Sequence, residues 1–253
     1  MEKQSKVIFF DLYQTLLDVK VSSTDPVIKL QEELVGWEAF VMELKKYGVS
    51  TTANDFLKLY EKRRDDFYSA NRDKNIHHHN MLTLVAEVLK KDFNIQRSPE
   101  EVLHLVYVYR KVSRGWLRLY PGVFDTLFAL AKEYILSTAS HTQGSFTQLE
   151  LRELDIEKFF SYFVYSSDIG FRKESPNFYK HALKVVGKKP EDCIMVGDNY
   201  DVDIFIPKQL GIRGVWIKNP ITSGRYPMEQ EPPNALALEN FEKLLEVIKN
   251  LWA

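Results

Sequence analysis

Short apolar runs alternate with helical patterns over the outer parts of the chain. Residues 7–10 form a continuous apolar run that stops at Asp11, which is typical of a buried strand. The same reasoning predicts strands at 134–138, 162–165, 193–197 and 214–217. Helical patterns lie between and after them, at about 121–132, 144–154, 176–186, 201–210 and 238–251. Strands that alternate with helices predict a parallel α/β sheet.

The middle of the chain follows a different pattern, in which only helices are predicted. Asp25-Pro26 opens a helix that Gly48 should end, and Thr52 and Ser98-Pro99 mark two further helix starts. Residues 81–93 form another helical pattern, and we expect no strand in this region. The predicted fold is therefore an α/β, Rossmann-like parallel sheet core over residues 1–17 and 119–253. An all-helical domain over residues 18–118 interrupts it.

Composition and charge narrow the possible functions. The chain has 253 residues, 45% hydrophobic and 27% charged, and a net charge of -1. Disorder is excluded as the main state, and bulk attraction to nucleic acid is not expected at a pI of 6.6. The single cysteine, Cys193, excludes an intrachain disulfide and a cysteine-based zinc cluster. No targeting or membrane-spanning pattern is recognisable, so we expect a cytoplasmic protein without membrane partners.

Reactive side chains follow four of the predicted strands. Asp11 ends the first strand, Ser137-Thr138 end the second, and Lys173 follows the third, with Arg172 as a competitor for the role of cation. Asp198 ends the fourth strand, and Asp201 and Asp203 follow it. Ligands of open α/β sheets bind at the carboxyl ends of the strands. A cation and hydroxyls suit phosphate oxygens and carboxylates suit Mg²⁺, so this set favours phosphoryl chemistry.

The order and spacing of these residues resemble the haloacid dehalogenase-like (HAD) hydrolase superfamily, in its subgroup with a helical C1-type cap. Four motifs carry the resemblance: Asp11, Tyr13 and Thr15; Ser137; Lys173; and Gly197, Asp198 and Asp203. The helical insertion lies where that subgroup places its cap. The resemblance covers almost the whole chain.

The resemblance implies a role for each of these residues. Asp11 would be the nucleophile of an aspartyl-phosphate intermediate, while Lys173 neutralises charge and Ser137, Thr138 and Thr15 bind the substrate. Asp11, Asp198 and the backbone carbonyl of Tyr13 would bind Mg²⁺. Asp203 and Asn199 would lie just behind the metal. The implied activity is a Mg²⁺-dependent phosphatase that acts on a small phosphorylated metabolite.

Three positions depart from the pattern of the family phosphatases. Tyr13 stands where they have a second Asp that serves as acid and base, and a phenol is a poor base at neutral pH. Thr138 replaces a frequent Asn, and Glu174 replaces a frequent Pro after the lysine.

The tyrosine keeps two alternatives open. It is typical of the family's 2-haloacid dehalogenases, whose halide leaves without a proton. Those enzymes use an arginine early in the cap, whereas the first arginine here is Arg63, with Lys29 as a poorer substitute. The motif of Gly197, Asp198 and Asp203 also has the form that binds a metal in this family, which favours the phosphatase. A catalytically weak protein that binds a phosphorylated ligand is the second alternative.

The remaining polar clusters have simpler interpretations. Three consecutive histidines, 77–79, cannot all face one metal ion, and they are predicted to form a solvated loop. The arginines at 63–64 and at 110, 114 and 118 read as solvated helix faces, of which one arginine could face the substrate. Asp201 is either part of the site or a helix N-terminal acid.

Overall fold

The computed structural model of the protein describes residues 6–20, 24–71, 76–222 and 232–252. In chain order the strands are β1 Val7–Phe10, β2 Leu17–Val19, β3 Leu117–Leu119, β4 Ile135–Thr138, β5 Cys193–Gly197, β6 Arg213–Lys218 and β7 Ala235–Ala237. The α-helices are α1 Pro26–Leu44, α2 Ala53–Ala70, α3 Met81–Asp92, α4 Pro99–Ser113, α5 Val123–Glu133, α6 Gly144–Glu153, α7 Ser166–Ile169, α8 Pro176–Val186, α9 Ile206–Gln209 and α10 Leu244–Trp252. None of the described helices is long and apolar enough to cross a membrane.

Five strands form a parallel sheet in the order β4-β1-β5-β6-β7. Alternate residues of β1 serve opposite faces: Ile8 and Phe10 join the core under α5 and α10, whereas Val7 and Phe9 join the core under α8. All four are fully buried, so the continuous apolar run reflects a strand covered on both sides. The predicted α/β, Rossmann-like core is confirmed.

The helices α1 to α4 form an insertion between β2 and β3, and they have a hydrophobic cluster of their own. Its members include Trp37, Phe56 and Leu105, and Phe146 of α6 joins it from the sheet side. The predicted helix signals hold here: Gly48 takes a left-handed φ of 80° at a helix end, and Ser98 forms a capping box with Glu101. The division into a core domain and a cap domain stays a prediction.

Several element predictions were wrong in detail. β2 and β3 pair antiparallel at the base of the insertion, where no strand was expected, and β7 was not predicted. All three of these strands are only three residues long, too short for a clear period. The predicted strand at 162–165 is reduced to two isolated bridges, from Tyr162 to Ser137 and from Tyr165 to Ser140.

Two of the predicted helices are composite. The segment 201–210 consists of a π-helix, Tyr200–Phe205, followed by α9, and the segment 238–251 starts with the 3₁₀ segment Leu238–Lys243 before α10. The π-helical turn directly follows the Asp198 strand end. π-helical turns occur frequently at functional sites.

Candidate active site

A cavity of about 300 Å³ opens at the carboxyl edge of the sheet, where β1, β4 and β5 end side by side. All of its lining residues except Val202 have polar side chains. The lining residues are Asp11, Tyr13, Gln14, Ser140, His141, Lys173, Glu174, Asp198, Asn199, Val202, Asp203 and Thr222. The predicted motifs of Asp11, Lys173 and Asp198 therefore meet in one cavity.

Asp11 and Lys173 form the centre of the site. Asp11 follows β1 directly, and its backbone N–H donates to the carbonyl of Val196 in β5 at 2.9 Å, which fixes its position at the sheet edge. Lys173 Nζ donates to Asp11 Oδ1 at 2.5 Å and to Asp203 Oδ1 at 2.7 Å. Burial lowers the pKa of Lys173, but the two carboxylates outweigh it and raise that pKa above its usual value. Lys173 is therefore a permanent ammonium beside Asp11.

Asp203 was predicted to lie behind the metal, and in the structure close contacts fix its side chain. It is fully buried, and its Oδ2 accepts the backbone N–H of Asn199 at 3.1 Å. Its carboxylate packs against the Cα of Gly197, where a Cβ would overlap it. The glycine of the motif is thus required by the close approach of Asp203.

Asp198 lacks a basic partner of its own among the hydrogen bonds of the described residues. Its Oδ1 accepts from Thr15 Oγ1 at 3.0 Å, and Thr15 also contacts Asp11 Oδ2 at 3.3 Å. Burial and the adjacent Asp11 raise the pKa of Asp198 to about 6. Burial and the negative charge of Asp11 raise the pKa of Asp203 to about 7, against the opposing effect of Lys173. The raised values indicate excess negative charge.

This donor set fits a hard divalent cation. Single oxygens of Asp11, Asp198 and Asp203 lie within 4.8 Å of one another, and all three residues are buried. One lysine balances three carboxylates, so a cation with oxygen preference would neutralise the remainder. The cluster could therefore bind a metal ion.

The hydroxyl predicted at Ser137 is replaced by that of Ser140. Ser137 Oγ bonds the backbone carbonyl of Thr138, and Thr138 Oγ1 accepts the N–H of Val164, so neither hydroxyl reaches the cavity. Ser140 Oγ instead donates to Asp11 Oδ1 at 3.1 Å. The reason is that the extended chain continues past β4: the Ala139 N–H still bonds the Phe10 carbonyl at 2.7 Å. The predictions for Ser137 and Thr138 were wrong.

Exchanging these hydroxyls tests the correction. Ser140→Ala removes a donor beside the nucleophile and should lower turnover of a phosphate ester about 10²-fold, the typical effect of losing one such donor. Ser137→Ala is the matched control, since its hydroxyl serves only the backbone, and it should stay within a few-fold of wild type. The reverse ranking would restore Ser137 to the site.

The phenol of Tyr13 is occupied by a buried network. Its hydroxyl donates a hydrogen bond to Glu150 Oε2 and lies 3.0 Å from Thr147 Oγ1. Glu150 is fully buried in α6 and accepts from Arg110 Nε at 2.8 Å and from Arg114 Nη1 at 3.3 Å. Burial and the charge of Glu150 raise the pKa of Tyr13 above its usual value. In this arrangement the Tyr13 hydroxyl therefore does not serve as the acid and base that the second Asp of the family phosphatases provides.

The histidines at 77–79 are not a solvated loop. His78 is buried, with Nδ1 at 2.6 Å from Ser166 Oγ, and His79 contacts the hydroxyls of Tyr60 and Tyr68. His141, which sequence analysis did not single out, lines the cavity next to Ser140 and packs edge-on against His78 at 4.7 Å. The polar composition of residues 77–79 gave no indication that the side chain of His78 is buried.

Other predicted residues lie at the margin of the site. Asn199 lines the cavity and caps the π-helix through its side chain. Asp201 is exposed and outside the cavity lining. Arg172 Nε donates to the carbonyl of His77 at 3.1 Å, so Lys173 and not Arg172 reaches Asp11.

The cap arginines considered from the sequence all bond carboxylates. Arg63 pairs with Asp92, Arg64 with Glu61, and Arg118 with Asp18. Arg110 and Arg114 are not a solvated face, because they bond the buried Glu150.

Comparison with known proteins identifies the family. The sequence model described as haloacid dehalogenase-like hydrolase matches residues 5–211. The chain therefore belongs to the haloacid dehalogenase-like hydrolases, and the prediction of a hydrolase of this family is confirmed. The helical-cap subgroup stays a prediction.

Similar proteins include phosphatases and dehalogenases. A glyceraldehyde 3-phosphate phosphatase of Pyrococcus furiosus is 28% identical over 255 residues, covering 98% of this chain and 94% of that protein. One from Methanopyrus kandleri is 31% identical, covering 65% of this chain and 71% of that protein. A 2-haloacid dehalogenase from Pseudomonas syringae matches in structure with a TM-score of 0.63 at 21% identity, covering 98% and 99% of the two chains. At that identity the structural match establishes the fold alone.

Proposed function

We propose that the protein is a Mg²⁺-dependent phosphatase that hydrolyses a small phosphorylated metabolite through a phosphoryl ester on Asp11. The observation that carries the proposal is the set of three buried carboxylates around one ammonium at the end of β1. The relatives named as glyceraldehyde 3-phosphate phosphatases support the choice of a phosphate ester, and that compound is the first substrate to test.

Each residue has a task in this scheme. An Asp11 oxygen attacks phosphorus, the bond to the substrate oxygen breaks, and the alkoxide leaves and takes its proton from water. The Lys173 ammonium and the Ser140 hydroxyl, both bonded to Asp11 Oδ1, bind the transferred phosphoryl group and offset its charge. Water then attacks phosphorus and releases Asp11 and inorganic phosphate. The cavity of about 300 Å³ suits a substrate of a few carbons.

Mg²⁺ is the ion that we propose for the carboxylate cluster. Asp11 and Asp198 would bind it together with the backbone carbonyl of Tyr13, while Asp203 stays bonded to Lys173. When bound, the ion supplies positive charge for the phosphoryl oxygens. Hard oxygen ligands and partial neutralisation by one lysine both favour Mg²⁺ over softer ions.

Dehalogenation is the less favoured alternative. Tyr13 supports it by residue type, but no arginine of the described part of the chain lines the cavity, and Lys29 is exposed outside it. A halide would therefore lack the cation that the family's dehalogenases provide. Release of halide from a 2-haloacid in the presence of a chelator would decide for this alternative.

The proposal is tested by turnover with and without metal. Glyceraldehyde 3-phosphate and p-nitrophenyl phosphate should be hydrolysed with Mg²⁺ and not with excess chelator. Asp198→Asn should lose the Mg²⁺ response, while Asp201→Asn, an exposed neighbour, should keep it. Full activity in chelator would overturn the metal assignment.

Stability should depend on pH and metal in a defined direction. Because the pKa values of Asp198 and Asp203 are raised in the fold, the folded protein holds protons that the unfolded chain has lost between about pH 4 and pH 7. Without metal, these two carboxyl groups should therefore contribute less to the free energy of unfolding as pH rises through this window. Burial lowers the pKa values of His78, His79 and His141, which change stability in the opposite direction. Urea unfolding of wild type and Asp198→Asn in chelator, at about pH 5 and about pH 7.5, isolates the carboxyl contribution because the histidines are common to both.

Added Mg²⁺ should stabilise the protein more at the higher pH, since ionised carboxylates bind the cation better. At 100 times the dissociation constant the gain is about 2.7 kcal/mol. Asp198→Asn is the control, and in it both effects should shrink. The same change in stability between about pH 5 and about pH 7.5 for wild type and Asp198→Asn in chelator would contradict the raised pKa of Asp198.

A further inference from the structure

The cavity needs a group that accepts a proton when water attacks the phosphoryl ester, and Tyr13 is not that group. Its hydroxyl proton is bonded to Glu150, away from Asp11. Asp203 is bonded to Lys173, and Asp11 and Asp198 are assigned to the nucleophile and the metal. The other side chains of the lining that could accept a proton are His141 and Glu174, which lie together.

His141 is placed next to the reacting centre. It directly follows Ser140, whose hydroxyl contacts the nucleophile, and its ring lines the same cavity. Its Nδ1 faces Glu174 Oε2 at 3.7 Å, which leaves Nε2 as the nitrogen for a second partner. The side chain is 30% exposed, so a proton taken up in the cavity can pass to solvent.

His78 fixes the neighbouring ring from the insertion side. Ser166 Oγ donates to the carbonyl of Thr142 and therefore accepts from His78, which places the proton of His78 on Nδ1. Nε2 of His78 then accepts from the amide of Gln143, which also donates to the His79 carbonyl. Both nitrogens are used, so His78 is a neutral, immobile ring with its contact to His141 at 80° between ring planes.

We propose that His141 is the general base of this site, with His78 as its positioning residue; the inference rests on the proposed phosphatase function. The oxygen of water bonds to phosphorus, and the bond from phosphorus to the Asp11 oxygen breaks. Asp11 returns to a carboxylate, and the proton of water passes to Nε2 of His141. The resulting imidazolium lies beside the Glu174 carboxylate and loses the proton to solvent.

The electrostatic surroundings of His141 keep its ring uncharged. Burial, followed by the positive charges of Arg172 and Lys173, lowers the pKa of His141 to about 4. The ring is thus neutral near pH 7 and has a lone pair to accept a proton. Burial likewise lowers the pKa of His78 to about 2, which agrees with its fixed neutral form.

The experiment uses p-nitrophenyl phosphate with Mg²⁺, whose leaving group departs without a proton. His141→Ala and His141→Gln should lower kcat about 10²–10⁴-fold, the usual contribution of a general base. Because the first step is spared, both variants should release a burst of p-nitrophenol. Acid-quenched protein should carry phosphate on Asp11, as seen by intact mass. Free imidazole should partly restore kcat in His141→Ala, a response that a structural role would not give.

Control variants distinguish failure of this inference from failure of the proposed phosphatase function. His104→Gln alters an exposed histidine on α4 and should behave as wild type. His78→Gln should lower kcat with the burst intact. If wild type shows no turnover that depends on Asp11, the proposed function and this inference both fail. If such turnover exists and His141→Gln retains it, only this inference fails. The same holds if His141→Gln loses turnover, but no phosphorylated protein accumulates and imidazole does not rescue His141→Ala.

Discussion

Asp11→Asn should abolish hydrolysis of any phosphate ester that the wild type turns over, with a loss of at least about 10³-fold. The amide is a far weaker nucleophile than the carboxylate, and no other group of the cavity stands at the end of β1 between Lys173 and Thr15. Steady-state turnover of p-nitrophenyl phosphate with Mg²⁺ measures the loss. The variant should also fail to acquire covalent phosphate.

The fold should survive this substitution. Asp11 contributes one of three clustered carboxylates, so its removal relieves repulsion while it deprives Lys173 of one of two partners. The two effects oppose each other, and the urea midpoint should move little. Asp201→Asn, at an exposed position near the same sheet edge, is the matched control and should keep full turnover. Retention of more than about a tenth of the activity by Asp11→Asn would remove Asp11 from the role of nucleophile.

The sequence predicts the centre of the site well because strand ends are sharp signals. Asp11 and Asp198 each follow a continuous apolar run, and the structure places both at one sheet edge. Lys173 was found from its spacing to Pro176, the first residue of α8, and it does reach Asp11. In each case one local pattern fixes both the element and the residue that follows it.

Ser140 was missed because the strand prediction stopped with the apolar run. In the structure the chain stays extended beyond Thr138, and Ala139 and Ser140 are both buried. The structure pairs β1 and β4 with Phe10 opposite Thr138, so Asp11 lies level with Ala139, one residue before Ser140. This register is not contained in the local apolar run, so the run alone could not lead to Ser140.

Buried polar contacts between distant segments could not be predicted. Glu150 and Arg110 are 40 residues apart and lie on different helices, so local spacing carries no information on their pairing. The four-residue spacing of Arg110 and Arg114 describes a helix face equally well whether that face meets solvent or a buried carboxylate. His78 is similar, because its burial depends on Ser166 and Gln143, both far along the chain.

Glu150→Ala should cause the largest loss of stability among single changes around the site, about 3–5 kcal/mol. The carboxylate is fully buried and bonds Tyr13, Arg110 and Arg114 at the junction of α6 with the helical insertion. Without it Arg110 loses its carboxylate partner, and Arg114, with only 6% of its side chain exposed, keeps Glu153 alone. Urea unfolding at neutral pH measures the change.

The matched control is Glu133→Ala, which removes an exposed carboxylate paired with Lys249 at 3.0 Å. Exposed pairs contribute about 0–1 kcal/mol, so this variant should unfold close to wild type. Glu150→Gln should fall between the two, because the amide keeps the shape and part of the hydrogen bonding but deprives Arg110 of its carboxylate partner, while Arg114 keeps Glu153. Loss of Glu150 also leaves the Tyr13 hydroxyl with Thr147 as its partner, and of the side-chain bonds to α6 it spares those of Glu153 to Tyr107 and Arg114. A cost below about 1 kcal/mol for Glu150→Ala would mean that solvent reaches the arginines and that this network does not fix the insertion on the core.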